Sequence, residues 1–475
     1  MTPYKLRDKD CKNYPHFDAP ISRRILQRLV NDSAAVARHA FLPFLVYTKA
    51  RNSLKSRTAG KAKKSPRPIR YAARQDAAIF AAYRSKLSEL YEQELISRNI
   101  AQCVIAYRRI KKSSKRGNKC NIEFAKDAFD AIAEYDNCTV FAFDISSYFE
   151  SIDHEILKSQ WCKLLGVERL PPDHFAVFKA ITHYSFAMKK DVYARLGFLH
   201  PKALRKILKK TYTVRKKDMP KQLCSPDDFK LKIAGKGGSY DKLIKTNTSG
   251  FGIPQGSPIS DVLANLYLLD FDADMHTHVK SLGGMYYRYS DDILLILPRS
   301  DVDINSVSAF VGSSLKKSGS NLEISCSKTN IVAFERDGDH HVFTAREGSS
   351  SKEGLEYLGF RFDGKNVYLR NATMSNLHRK IAKKCKKLAE NHIARHAGKD
   401  IHWLEHNFDF TKIEKAFGRV PDFEPFSKKS DWTFWTYAKK SLLCFDVQGK
   451  PIAQQLRKQK AFIRKSFLRQ LRKSY

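Results

Sequence analysis

Three aspartates stand where a carboxylate is costly. Asp144 closes the apolar run Thr139-Val-Phe-Ala-Phe, and Asp291 and Asp292 fall between two apolar segments, Met285 to Tyr289 and Ile293 to Leu297. An ionised acid beside such strands is expensive unless a cation compensates. Two of these positions on adjacent strands could hold Mg2+ between them, with coordination left for water and phosphate oxygens. Acids in hairpin turns are routine, so the Asp pair alone carries little. Its conjunction with Asp144 and with the loop Gly252-Ile-Pro-Gln-Gly-Ser-Pro-Ile-Ser260 carries more. Glycine at 252 and 256 lets the backbone approach a ligand closely, while Pro254 and Pro258 stiffen the loop before a helix. A flat substrate could lie on such a surface, and a plain helix-entry turn would read the same way.

The elements that must position these residues follow from periodicity. Ile79, Phe80, Tyr83, Leu87, Leu90 and Tyr91 predict an amphipathic helix over 76–96, and Phe124, Ala128, Phe129 and Ile132 a second over 124–133. The run 139–144 reads as a buried strand and 152–165 as a helix. The spacing over 259–279 predicts one helix. Met285 to Leu297 reads as a hairpin with both acids in its turn. A helix over 307–316 follows, then extended segments at 322–325 and 331–334. A further hairpin joins 355–362 to 367–369 across Asp363-Gly364. This order suits an α+β fold built on a small antiparallel sheet with helices on one face, a ferredoxin-like palm.

Charge constrains the partner. The 475 residues carry 86 Lys and Arg against 49 Asp and Glu, a formal net charge of +37, with 42% hydrophobic residues. That is a folded chain with a polyanionic partner, nucleic acid before membrane. No apolar run is long enough to span a bilayer and no secretory signal is readable. Nine cysteines without any C-x-x-C argue against a disulfide framework and a zinc ribbon, and suit a reducing cytoplasm. Nine basic residues and no acid lie between Lys49 and Arg70, broken by Gly60, Ser65 and Pro66, which reads as a flexible arm for phosphates. A second basic cluster holds Arg205, Lys206, Lys209, Lys210, Arg215, Lys216 and Lys217. Beyond Asn371 the chain is helical in pattern and basic.

Here the motifs become specific. FDISSYFESIDH (143–154), GIPQGSPISDVLANLYL (252–268) and YSDD (289–292) resemble motifs A, B and C of reverse transcriptases, in order. SKT (327–329) and LEYLGF (355–360) are similar to the motif D lysine region and the motif E primer grip. RPIRYAARQDAAIF, AYRR and SKRGNKCNIEFAKDAF resemble the fingers of bacterial enzymes of this kind, particularly the defence-associated and abortive-infection groups, and the C-terminal tail resembles their helical extensions.

The resemblance implies an RNA-directed DNA polymerase with a right-hand fold: helical fingers, the ferredoxin-like palm and a helical C-terminal thumb. Its divisions would be an N-terminal segment with the basic arm over 1–70, fingers over 71–140, palm over 141–166 and 250–370, an insertion over 167–249 and the thumb or extension over 371–475. Asp144, Asp291 and Asp292 would be the catalytic carboxylates, binding two Mg2+ with the main-chain carbonyl of Ile145. Phe149 falls where reverse transcriptases keep an aromatic under the incoming sugar, and plain core packing is its other reading. Gln255 and Gly256 would line the template and nucleotide pocket, Lys328 would meet pyrophosphate, and Arg108, Arg109 and Lys119 would contact the triphosphate. The partners implied are an RNA template, a dedicated non-coding RNA of antiphage defence, with dNTPs and a DNA product, and self-association is left open.

Ser290 departs from the Ala or Met usual in motif C, and the interval between motifs A and B is long. No endonuclease or RNase H pattern is present, so intron-like mobility is not implied. Two alternatives remain at this point: a template-independent or protein-primed DNA polymerase of the same fold, and a catalytically silent RNA-binding, maturase-like protein. RNA synthesis is disfavoured because Phe149 stands where an acid would recognise the ribose.

Overall fold

The computed structural model describes residues 3–49, 67–112, 117–201, 211–298, 301–348, 351–418 and 433–475. The chain folds into two compact units, one comprising 1–107, 145–275 and 309–323, the other 108–144, 276–308 and 324–475. Both mix helix and strand, as the sequence predicts.

In chain order the strands are β1 (Phe44–Lys49), β2 (Arg67–Tyr71), β3 (Asn137–Asp144), β4 (Ser185–Met188), β5 (Lys245–Thr246), β6 (Met285–Tyr289), β7 (Asp292–Leu297), β8 (Asn330–Asp337), β9 (His340–Glu347), β10 (Leu355–Tyr357), β11 (Phe360–Phe362) and β12 (Val367–Leu369). The second unit is built on the sheet β6-β7-β3-β8-β9, antiparallel throughout. Its first four members in sequence, β3, β6, β7 and β8, take the strand order of a ferredoxin-like split β-α-β unit, with β9 added outside β8. Side chains alternate across a sheet, so Cys138, Val140 and Ala142 share one face with Leu294, Ile296, Val332 and Phe334. That face is buried under the helix Asn121–Glu134 and the meander β10-β11-β12, where Phe129 stacks on Phe362 with ring centroids 4.9 Å apart. A separate core joins the helix Asn371–Arg395 to Gln459–Ser474, with Leu377, Ile381, Cys385 and Ala389 meeting Ile463, Phe467 and Leu471. The repeat of four along the first helix keeps one apolar stripe on its partner.

The first unit contains the helix Arg74–Ser97, buried on nearly all sides over Ala77 to Tyr83, and the sheet β2-β1-β4-β5. The interval 167–249 supplies two of its strands, with β4 parallel to β1.

Several expectations are corrected. The predicted helix over 259–279 is two helices, Ser260–Tyr267 and Leu269–Ser281, because the backbone leaves helical geometry at Leu268 (φ −100°, ψ 18°). The run 355–362 is two strands, turned at Leu358 (φ 44°) and Gly359 (φ 94°), so a three-stranded meander replaces the expected hairpin. Residues 322–325 form no strand. Asp292 is the first residue of β7 and only Ser290 and Asp291 make the turn. The stretch read as a basic arm ends in strand at both sides, Lys49 pairing with Arg67. Its residues 50–66, and Arg205, Lys206, Lys209 and Lys210 of the second cluster, lie outside the described residues. All nine cysteines are unpaired, and no described helix is long and apolar enough to cross a membrane.

Candidate active site

The end of the five-stranded sheet brings the sequence's three acids together. Asp144, last in β3, lies directly across from Asp292, first in β7, and Asp292 also pairs with Tyr289 of β6. Cross-strand partners project to the same face, so Asp144 and Asp292 point the same way, with Asp291 in the adjoining turn. That turn needs a positive φ at its first central residue, and Ser290 adopts φ 61° while buried. Arg288, fully buried on the opposite face, donates from Nη1 to the Ser290 carbonyl at 3.1 Å and braces the turn from beneath. Nothing in the sequence pattern distinguished Arg288, apart from its place at an inward position of an apolar strand.

Like charges strain this corner. The Asp292 carboxyl is pushed up to about 7, by burial first and then by Asp291 and Asp144, with Lys328 and Arg370 opposing. Lys328 forms an ion pair with Asp144 Oδ1, held by the short helical turn Cys326–Lys328, whose preceding residue Ser325 donates its amide to the Asp144 carbonyl at 2.8 Å. Among the described residues no three His, Cys, Asp or Glu side chains form a ready metal cage. A carboxylate pair with a neighbouring third acid fits Mg2+ that arrives with substrate, since Mg2+ takes one or two carboxylates, waters and phosphate oxygens rather than an all-protein shell. Asp292's repulsion by its neighbours is what a divalent cation would relieve.

The remaining candidates fall into two groups. In the first unit Ile145 is buried, Ser147 takes φ 47°, and Phe149 lies in the short helix Tyr148–Ser151, its ring 9% exposed and edge-on to Tyr148 at 5.8 Å. The glycine loop is fastened to this helix: the Ile253 amide donates to Phe149 O at 2.8 Å and the Gly252 amide to Ile152 O at 2.7 Å. Close approach at the two loop glycines is to the protein's own backbone. A Cβ at Gly256 (φ 110°) would lie 2.6 Å from Arg70 O, and one at Gly252 (φ 82°) 3.0 Å from Glu150 O. The Arg70 amide donates to Gln255 O at 2.9 Å, so β2 and the loop form one assembly that sequence reading did not foresee. Gln255 is half-buried and Gly256 exposed. In the second unit Arg108 is half-buried and Arg109 exposed, whereas Lys119 is committed to Asp127 at 2.6 Å.

Comparison with known proteins bears on this site. Residues 209–362 match the family model described as reverse transcriptase (RNA-dependent DNA polymerase). The match contains Asp291, Asp292 and Lys328 but not Asp144, which the strand register supplies. No curated protein matches the chain. Solved structures similar to it include a telomerase from Candida albicans in complex with a TWJ fragment of telomeric RNA, at 13% identity and TM-score 0.38, covering 91% of this chain and 65% of that one. An apo telomerase from Candida tropicalis is similar at 11% identity and TM-score 0.35, covering 90% and 65%. A form of it truncated from the C-terminal domain gives 12%, 0.33, 64% and 52%. The chain therefore spans between 52% and 65% of the length of these relatives. Residues 209–362, about a third of the chain, are thus similar to a reverse transcriptase domain, the domain of RNA-directed DNA polymerases, and within an α+β fold that matched segment carries Asp291 and Asp292.

Proposed function

We propose that the chain synthesises DNA on an RNA template, adding dNTPs to a primer at the end of β3 and β7. The observation that carries this reading is the register of Asp144 opposite Asp292, with Asp291 in the turn and Lys328 ion-paired to Asp144. Asp144 and Asp292 would hold Mg2+ there, and when bound it would supply Lewis acidity that makes the primer 3′-hydroxyl more acidic and offsets triphosphate charge. Asp144 and Asp292 hold their carboxylates on one face, Asp291 adds a third, and Ile145 contributes its carbonyl. Lys328 exchanges from Asp144 toward the leaving pyrophosphate as charge develops there. Phe149 walls the sugar position, Gln255 and Gly256 line the template and nucleotide pocket, and Arg108 and Arg109 meet the triphosphate.

We assign fingers to 71–140, palm to 141–166 and 250–370, and thumb to 371–475, with 167–249 as an insertion. The finer reading is a bacterial, cytoplasmic enzyme of antiphage defence acting with a dedicated non-coding RNA. Support for it is the resemblance of the fingers segment and the basic C-terminal tail to that class. The test has two arms. Purified protein with a primed RNA and dNTPs should extend the primer, and sequencing of co-purified nucleic acid, before and after RNase or DNase, should return one recurrent RNA and a complementary DNA. Homopolymeric or template-unrelated product would overturn the templated reading, and no product under either condition would overturn polymerisation.

A further inference from the structure

The core packed on the sheet face that carries Asp144 and Asp292 contains two polar side chains with no hydrogen-bond partner among the described residues. Tyr357, at the end of β10, is 4% exposed, and its hydroxyl has no hydrogen-bond partner among the described residues. Asn330 opens β8 at 2% exposure, and neither its Nδ2 nor its Oδ1 has a partner there. Asn330 pairs with Ala142, so its side chain shares the face on which Asp144 lies two residues further along β3. Tyr357 packs in the same cluster as Leu294, Val332 and Ala142. β10, which carries Tyr357, lies against β3 and β8, the strands of Asp144 and Asn330, and the Tyr357 phenol is pushed well above the usual range by burial first and then by the charge of Asp292, with Tyr287, Tyr289 and Asp127 adding to it.

Leaving a buried hydroxyl unbonded carries its full desolvation penalty, and Phe would fill the same volume without it. Groups that break this rule in an otherwise well-packed core are expected where function holds them. We propose that Tyr357 is a positioning residue for Asp292: its hydroxyl is the donor held beneath the carboxylate, directly or through one buried water, that fixes the oxygen not offered to the metal. Asn330 is the second group of the same support, serving Asp144 from β8. The arrangement acts when Asp292 swings to bind a cation, since a carboxylate with one oxygen anchored presents the other in a single direction.

This inference rests on the polymerase reading, and its test separates the two. Wild type, Tyr357→Phe and Asn330→Leu are compared for thermal stability, for Mn2+ affinity by electron paramagnetic resonance, and for primer extension across a Mg2+ titration. The proposal expects Tyr357→Phe to melt at or above the wild-type temperature, to bind Mn2+ about 10-fold or more weakly, and to need correspondingly more Mg2+ at unchanged RNA affinity. Wild-type Mn2+ affinity in Tyr357→Phe overturns it, and so does a lowered melting temperature with activity lost in proportion, which would make Tyr357 a packing residue. Should wild type bind Mn2+ but extend no primer, the polymerase reading fails while the binding and stability comparison still decides the role of Tyr357. Asn330→Leu should weaken Mn2+ binding in the same direction, and an unchanged affinity removes Asn330 from the support.

Discussion

In the unit built around the helix Arg74–Ser97, buried acids come with their partners. Asp18 faces Arg74 at 3.3 Å and accepts the Gln75 amide at 3.1 Å, while Asp76 takes His39 Nε2 at 2.7 Å and the Leu42 amide at 2.9 Å. At the end of β3 and β7 in the other unit the pattern reverses. Asp292 sits against two like charges, and the side-chain polar atoms of Tyr357 and Asn330 lie buried with no hydrogen-bond partner among the described residues. The first pattern is what a stable core requires, since an unmatched buried charge is strongly destabilising. The second is what a bound cation and substrate would relieve, so on the proposed function the same residue types are structural in one unit and serve chemistry in the other.

The comparison can be broken most severely at the acids. Replacing Asp291 and Asp292 together by Asn should reduce primer extension to background, because the amides cannot supply the charge Mg2+ demands, while circular dichroism and RNA affinity stay near wild type. Extension at more than a small residue of the wild-type rate would remove the two-metal assignment. In the satisfied unit the consequence should fall on stability instead. Asp18→Ala strands a buried guanidinium and should cost about 3–5 kcal/mol in urea unfolding, with the rate per folded molecule unchanged. A slowed enzyme of normal stability would erase the distinction between the two units.

Phe149 tests a smaller effect at the boundary of packing and selectivity. Phe149→Ala should cost about 3 kcal/mol for the lost ring and shift the ratio of dATP to ATP incorporation toward the ribonucleotide. An unchanged ratio would leave the ring as core alone.

The mildest test lies within the catalytic unit itself. Burial alone would raise the Glu123 carboxyl, but hydrogen bonds with Cys120 and Lys112, with Lys440 close by, hold it down at about 2 against an ordinary 4.5. A depressed folded value means its stabilisation is complete above about pH 4.5 and is lost as pH falls toward 2. Melting temperature followed from pH 6 to pH 2.5 should therefore fall less steeply in Glu123→Gln than in wild type. Parallel curves would show that Glu123 is not a satisfied acid.

The corner where Asp144 meets Asp292 was legible because it is written in short runs: an apolar strand ending in Asp144, and YSDD between two others. What sequence could not show is how distant segments complete it. Asp292 looks like a turn residue until pairing with Asp144 makes it the first residue of a strand. Arg288 and Tyr357 each sit at an apolar position in the alternation, so each reads as packing until its hydrogen-bonding state is known. Gly256 reads as a place for a ligand, and only the folded chain reveals that β2 occupies the space a side chain would need. The helix broken at Leu268 carries no Gly or Pro to announce it.

The central claim is that two strands remote in sequence form one cation site. Fe2+ substituted for Mg2+, with ascorbate and peroxide, cleaves the main chain beside the bound ion. The account predicts cuts near Asp144 and near Asp291 and Asp292 in the same experiment, both suppressed by excess Mg2+ and both lost in Asp144→Asn. Cleavage beside one strand only, or cuts at both that survive Asp144→Asn, would contradict it.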